Sequence, residues 1–172
     1  MSPPLVLIEN FITNADTLFE QLRVEVSWDE RMKARKTASF GVSYNYSGIA
    51  YPQTAMLESL LPICTQIDQQ LGFLPNNCLL NYYLNGHSSM GYHSDSSKEL
   101  LAGTGVAIIS LGAERQINYK SKTHPEQIVS YTLPSGMLLY MNDMVQQEWL
   151  HAIPKQAGVG ERISLTFRHI IK

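Results

Sequence analysis

The rhythm of polar and apolar positions changes near residue 79 of the chain. Before that point apolar residues recur at helical spacing. Leu18, Leu22 and Val26 stand four apart within Ala15 to Val26, behind Asn14 as an N-cap. A second helical stretch runs from about Thr54 to Leu71, with Leu57, Leu60, Leu61, Cys64, Ile67 and Leu71 on one broad face and Pro62 set to split or kink it. Beyond residue 79 the pattern becomes short apolar or β-branched runs: LLNYYL, GVAIISL, RQINYK, QIVSYTL, MLLYM, WLHAI and RISLTFRHI. Turn residues separate them, at Asn85-Gly86, Gly112, Pro134-Ser135-Gly136, Asn142-Asp143 and Gly158 to Gly160. Helices followed by a run of strands predict a mainly β fold with flanking helices, of the α+β class. An antiparallel sandwich or a jelly-roll barrel, backed by the N-terminal helices, satisfies that order.

The final strand carries the first chemical hint. In RISLTFRHI, Arg162, Ser164, Thr166 and Arg168 fall on one face, and Ile163, Leu165 and Phe167 on the other. If the apolar side packs against helices, the polar side points into the barrel mouth. Two guanidinium groups about 20 Å or less apart along the strand then need anionic partners, which the two carboxylates of one small diacid would provide. The competing reading is an ordinary amphipathic strand with both arginines solvated.

The segment GYHSDSSKE places His93 and Asp95 two positions apart among small polar residues. On an extended segment such a pair projects to one side, so an imidazole nitrogen and a carboxylate oxygen converge on one ion. A bare H-x-D is a weak signal. His151, in WLHAIP on a late strand, supplies a third ligand, and two histidines with one carboxylate form the facial triad of a non-haem iron(II) oxygenase.

Composition sets bounds on this picture. At 172 residues and 44% hydrophobic content, with no repeat or flexible linker, residues 1–172 read as a single domain. The formal charge of −2 argues against affinity resting on a strongly basic surface, while a local basic strip remains compatible with it. Cys64 and Cys78 lie in apolar surroundings without a C-x-x-C pattern and read as buried free thiols. No signal-peptide pattern and no long apolar run is evident. We therefore expect a monomer without membrane association, located in the cytoplasm, or in the nucleus if the source is eukaryotic.

Taken in order, NYYLNGHSSMGYHSD, GVAIISLGAERQINYK, GMLLYMNDMVQQEWLHAIP and RISLTFR resemble the AlkB family of iron(II)/2-oxoglutarate dioxygenases, especially the branch of the human nucleic-acid repair homologues. The resemblance covers about residues 35 to 170. It implies a double-stranded β-helix, with Fe(II) held by His93, Asp95 and His151 and with 2-oxoglutarate and O2 as cosubstrates. By position, Arg162 and Tyr83 would serve the distal carboxylate of 2-oxoglutarate, and Arg168 and Asn81 the carboxylate at the iron end. Ser164 would complete that site where family members often carry asparagine. The implied reaction decarboxylates 2-oxoglutarate to succinate and CO2 while a substrate C–H is oxidised; an oxidised N-methyl group leaves as formaldehyde.

For the substrate, residues 27–52 form a candidate recognition segment. Within ARKTASFGVSYNYSG and the residues just before it, Lys33, Arg35 and Lys36 are candidate phosphate contacts, and Phe40, Tyr44 and Tyr46 candidate stacking faces. The same aromatics read equally well as core strand residues. Arg115 either faces the substrate or pairs structurally with Asp95 or Glu114, and Asp143 and Glu148 are candidates for the pocket rim. His87 and His124 read as exposed, His169 as a strand residue opposite Arg168. Ser97 stands where many nucleic-acid members carry an acidic residue, which Glu99 could replace only after a loop shift. Three functions follow for testing: demethylation of alkylated DNA or RNA, hydroxylation of a small molecule or protein side chain by the same chemistry, and a catalytically silent jelly-roll binding module.

Overall fold

The structure, a computed structural model, describes residues 1–171. Two antiparallel sheets face each other, and two helices cover the outer side of the larger one. The larger sheet has six strands: β1 (Val6–Ile8), β2 (Lys36–Gly41), β5 (Asn77–Tyr83), β7 (Val106–Gly112), β10 (Leu138–Met141) and β12 (Arg162–Arg168), in the order β1-β10-β7-β12-β5-β2. The smaller sheet runs β6-β11-β8-β9, from β6 (Met90–His93), β8 (Arg115–Ser121), β9 (Ile128–Leu133) and β11 (Trp149–Ile153). A separate hairpin joins β3 (Tyr44–Tyr46) to β4 (Ile49–Tyr51). The expected barrel is thus a pair of facing sheets that do not close on each other.

Side-chain alternation explains the layering. Helices α1 (Ala15–Glu25) and α2 (Leu61–Leu71) bury Leu18, Leu22, Ile63 and Ile67 against Leu80, Ile109, Leu165 and Phe167 on the outer face of the large sheet. The intervening residues of the same strands point inward. There Val106, Leu139 and Met141 meet Ile117, Tyr119, Trp149 and Ile153 of the small sheet. Strand β12 lies between β7 and β5 and is buried along its whole length. Gly112 ends β7 at φ +89°, where a Cβ would lie 2.5 Å from the Glu161 carbonyl, so the approach to β12 requires glycine.

Several expectations need correction. The second helix begins at Leu61 after a 3-10 turn at Glu58–Leu60, so Pro62 sits in its first turn, where a missing N–H costs nothing, and kinks nothing. Leu61 is consequently exposed. Asn14 occupies the N-cap position of α1 through its carbonyl, which accepts from the Leu18 N–H at 3.0 Å; its side chain does not cap. His169 lies beyond β12, its Nδ1 2.7 Å from the Leu74 carbonyl. Strands β1 to β4 and β6, and the six-residue helix α3 (Asp143–Glu148), fall outside the runs that polarity alone picks out. Cys64 and Cys78 are indeed free and buried, and burial pushes the Cys64 thiol up to about 11. No helix among the described residues is long and apolar enough to cross a membrane.

Candidate active site

The inner faces of the two sheets line a cavity of about 510 Å³, counting the open solvent at its mouth. His93, Asp95 and His151 stand at one part of its wall, and Arg162, Ser164, Thr166 and Arg168 line another. Thus the polar face of the last strand does point inward.

Sheet pairing brings the two histidines together. His151 of β11 is the direct cross-strand partner of His93 of β6, and their ring centroids lie 4.3 Å apart. Asp95 follows β6 in a loop. Its Oδ1 is 3.6 Å from His93 Nε2 and its Oδ2 is 3.8 Å from His151 Nε2. One ligand atom from each residue falls within 4.8 Å of the other two, a spacing that one ion can span. The Gly91 carbonyl, 2.8 Å from His93 Nδ1, favours a proton there and leaves the Nε2 lone pair free.

Electrostatics favour the same protonation states. Burial holds His151 down at about 4, with the Asp95 carboxylate only partly opposing it, so its imidazole is neutral at physiological pH. For Asp95, burial pushes upward, but Arg168, His151, His93 and the Gln146 hydrogen bond outweigh it and hold the carboxyl below its usual range. A neutral imidazole and an ionised carboxylate are the forms that bind a metal. Arg168 Nη2 lies 3.7 Å from Asp95 Oδ2, while its guanidinium stacks 4.7 Å over the Tyr44 ring.

Arg162 is 1% exposed, and no carboxylate among the described residues pairs with it. Its Nη2 donates to Ser110 Oγ at 2.9 Å, and the guanidinium stands 5.0 Å over the Tyr83 ring. Burial pushes its pKa down. Nε and Nη1 of both Arg162 and Arg168 are buried without a hydrogen-bond partner among the described residues. Four orphaned donors on two buried cations are a costly arrangement unless an anion meets them. Their presence, with the N,N,O ligand set, fits iron and a dicarboxylate.

The candidate substrate residues divide. Tyr46 lines the cavity, and Tyr44 shares its face on β3. Arg35 is not a phosphate contact: it is 7% exposed, and its guanidinium donates to Asn81 Oδ1 at 2.9 Å, the Ser89 carbonyl at 2.7 Å and the Tyr46 hydroxyl. Lys36 pairs with Glu30 at 3.0 Å and covers Tyr82 on the outer face, where Phe40 also packs. Arg115 does not line the cavity, nor does it pair with Asp95 or Glu114. Fully buried, it donates to the carbonyls of Asn85, Ser88 and Pro154 at 3.3, 2.8 and 2.6 Å. Asp143 and Glu148 do not line the cavity. His87 and His124 are exposed, and Ser97 uses its carbonyl to accept from Leu100 N–H.

Sequence reasoning passed over Gln146, Tyr119 and Ser110. Gln146 Oε1 accepts the Asp95 N–H at 2.8 Å, and the Tyr119 ring lies 5.7 Å from His151 with its hydroxyl buried and unpartnered. Only the alternation of Ile117, Tyr119 and Ser121 offered a hint, by placing Tyr119 on an inward face.

The chain belongs to the 2OG-Fe(II) oxygenase superfamily, whose family model matches residues 5–168. Within that superfamily its similarity runs to the AlkB homologues. It is 34% identical to alpha-ketoglutarate-dependent dioxygenase alkB homolog 3 of Bos taurus, over 92% of this chain and 63% of that protein. It is 29% identical to DNA oxidative demethylase ALKBH2 of Homo sapiens, over 91% of this chain and 69% of that protein. The chain thus spans less than two thirds of the length of the homolog 3 protein. The solved structure of OsALKBH1 matches with a TM-score of 0.72 over 98% of this chain and 99% of its own, at 16% identity, a likeness of fold.

Proposed function

We propose that this chain is an iron(II)- and 2-oxoglutarate-dependent dioxygenase that oxidatively demethylates alkylated nucleobases in DNA or RNA. The observation that carries the reading is the His93–Asp95–His151 cluster sharing one cavity with two buried guanidinium groups whose inward donors lack partners. Bound there, iron(II) with O2 would couple the decarboxylation of 2-oxoglutarate to succinate and CO2 with oxidation of a substrate C–H, an N-methyl carbon leaving as formaldehyde.

Each protein group then has a task. Arg162, beside Tyr83 and Ser110, binds the distal carboxylate, and its planar fork suits that geometry better than an ammonium. Arg168 and Asn81 take the carboxylate at the iron end, Arg35 orienting the Asn81 amide through its oxygen. Ser164 lies between the two arginines on β12 with a shorter hydroxyl. Leu79, Ile108, Ile117, Leu133 and Leu139 keep the remaining wall apolar and exclude water. Residues 27–52 supply Tyr46, which lines the cavity, as a stacking face for a base; the chain acts as a single-domain monomer in the cytoplasm, or in the nucleus if the source is eukaryotic.

The relatives' names support a nucleic-acid substrate, since one is a DNA oxidative demethylase. A second reading, hydroxylation of a small molecule or protein side chain, draws on two features: Ser97 provides no carboxylate for a cationic base, and Arg35 is committed internally and cannot grip phosphate. Succinate and formaldehyde release in the presence of methylated single- and double-stranded DNA and RNA tests the choice. Formaldehyde released in step with succinate supports demethylation. Turnover of 2-oxoglutarate with no response to any methylated oligonucleotide favours the second reading.

A further inference from the structure

Asp95 is the one member of the triad outside the strands, so the sheet ladder does not fix it. Its backbone is held from another direction. The Asp95 N–H donates to Gln146 Oε1 at 2.8 Å, and Gln146, 5% exposed in the short helix α3, also directs its Nε2 to Met141 Sδ at 3.7 Å. From the other side, Lys122 Nζ donates to Ser94 Oγ at 3.1 Å and to the Gln146 carbonyl at 2.8 Å. The Lys122 backbone is anchored in turn, its N–H donating to the Glu148 carbonyl at 3.0 Å. Helix α3 runs directly into β11, which carries His151.

We infer that Gln146, braced by Lys122, is the positioning residue that sets Asp95 for the metal and joins the His93–Asp95 loop to the segment carrying His151. The inference rests on the proposed role of the triad as a metal site. Without the Gln146 oxygen, the part-buried Asp95 N–H loses its partner, and the loop can move its carboxylate away from the two imidazoles. Outer partners of this kind typically change metal affinity by 10- to 100-fold when removed, because they hold a ligand in the geometry the ion needs.

The test measures Mn(II) binding to the full-length apo-protein by electron paramagnetic resonance, with urea unfolding run on each variant. Wild-type protein that binds no Mn(II) overturns the metal reading itself, and this inference with it. Given wild-type binding, Q146L is expected to raise the Mn(II) Kd about 10- to 100-fold. Q146E, which retains an acceptor oxygen at the same reach, is expected to stay close to wild type, a rescue that mere space-filling would not produce. K122M, altering an exposed side chain, is expected to weaken Mn(II) several-fold. With iron saturating, the KM for 2-oxoglutarate in Q146L should match wild type. A folded Q146L with the wild-type Kd overturns the inference, as does Q146E losing as much affinity as Q146L. If Q146L does not fold, K122M decides: weaker Mn(II) binding supports the inference, and an unchanged Kd overturns it.

Discussion

Replacing Arg162 with methionine should move stability and cosubstrate affinity in opposite directions. The guanidinium is 1% exposed, lacks a carboxylate partner among the described residues and keeps Nε and Nη1 unpaired. Burying such an ion costs several kcal/mol, of which the bond to Ser110 Oγ and the Tyr83 ring beside the guanidinium recover only part. Methionine removes that cost but leaves the Ser110 hydroxyl unpaired, at about 1–3 kcal/mol. The expected net gain for the apo-protein is about 1–2 kcal/mol, a rise in Tm of roughly 2–8 °C for a chain of this size. For 2-oxoglutarate the sign reverses. Two charge-assisted hydrogen bonds at about 1.5–3 kcal/mol each amount to roughly 3–6 kcal/mol, a loss of about 10²- to 10⁴-fold in affinity. Thermal melts with and without Mn(II) and 2-oxoglutarate, alongside the KM for succinate formation, read both effects. An R162M protein that melts lower than wild type and keeps its KM for 2-oxoglutarate would refute the reasoning, because Arg162 would then be structural.

Other consequences can be measured directly. R115A removes the donor to three backbone carbonyls and should cost about 3 kcal/mol or more in urea unfolding, with R115K recovering only part; a loss under about 1 kcal/mol would contradict the assigned role. In the apo-protein, His151 sits at about 4 when folded against an ordinary 6.5, so the unfolded chain takes up its proton first as pH falls. Stability should therefore decline by roughly 3 kcal/mol between about pH 6.5 and pH 4, and H151N should flatten that decline. Asp95, lowered in the folded state, contributes stability that is present above its unfolded pKa and is lost as pH falls through the folded one, so its loss continues the trend. G112A forces a Cβ to within 2.5 Å of the Glu161 carbonyl at φ +89° and should lower stability by about 1–3 kcal/mol, read as a drop in Tm without change in metal affinity.

How much of this was legible depended on whether a residue's role is set by local pattern or by distant partners. RISLTFR announced its two faces because a fully buried central strand with four polar inward positions stands out against its apolar neighbours. His93, Asp95 and His151 were legible for a related reason: ligand chemistry restricts residue type more strongly than packing does. Arg35 misled because a basic residue looks solvent-seeking in one dimension, while for Arg115 a structural role was legible but its partners were not. Each is instead spent on acceptors 11 to 54 positions away, pairings that only tertiary contact creates. The apolar spacing over 54–71 predicts too long a helix because it continues through Leu57, whereas the chain there is extended and only Glu58–Leu60 form a 3-10 turn ahead of the helix at Leu61. Strand β2 shows only as the alternative reading of Phe40, since KTASFG offers little hydrophobic alternation; its place comes from pairing with β5.

Strand β12 gives the molecule an uneven distribution of rigidity. Laddered on both edges and covered on both faces, it holds Arg162 and Arg168 on the segment whose amides should exchange slowest with solvent, whereas Asp95 rides a loop that can open far sooner. A form in which that loop has opened while β12 stays laddered therefore keeps the two arginines in place after Asp95 has left the two histidines.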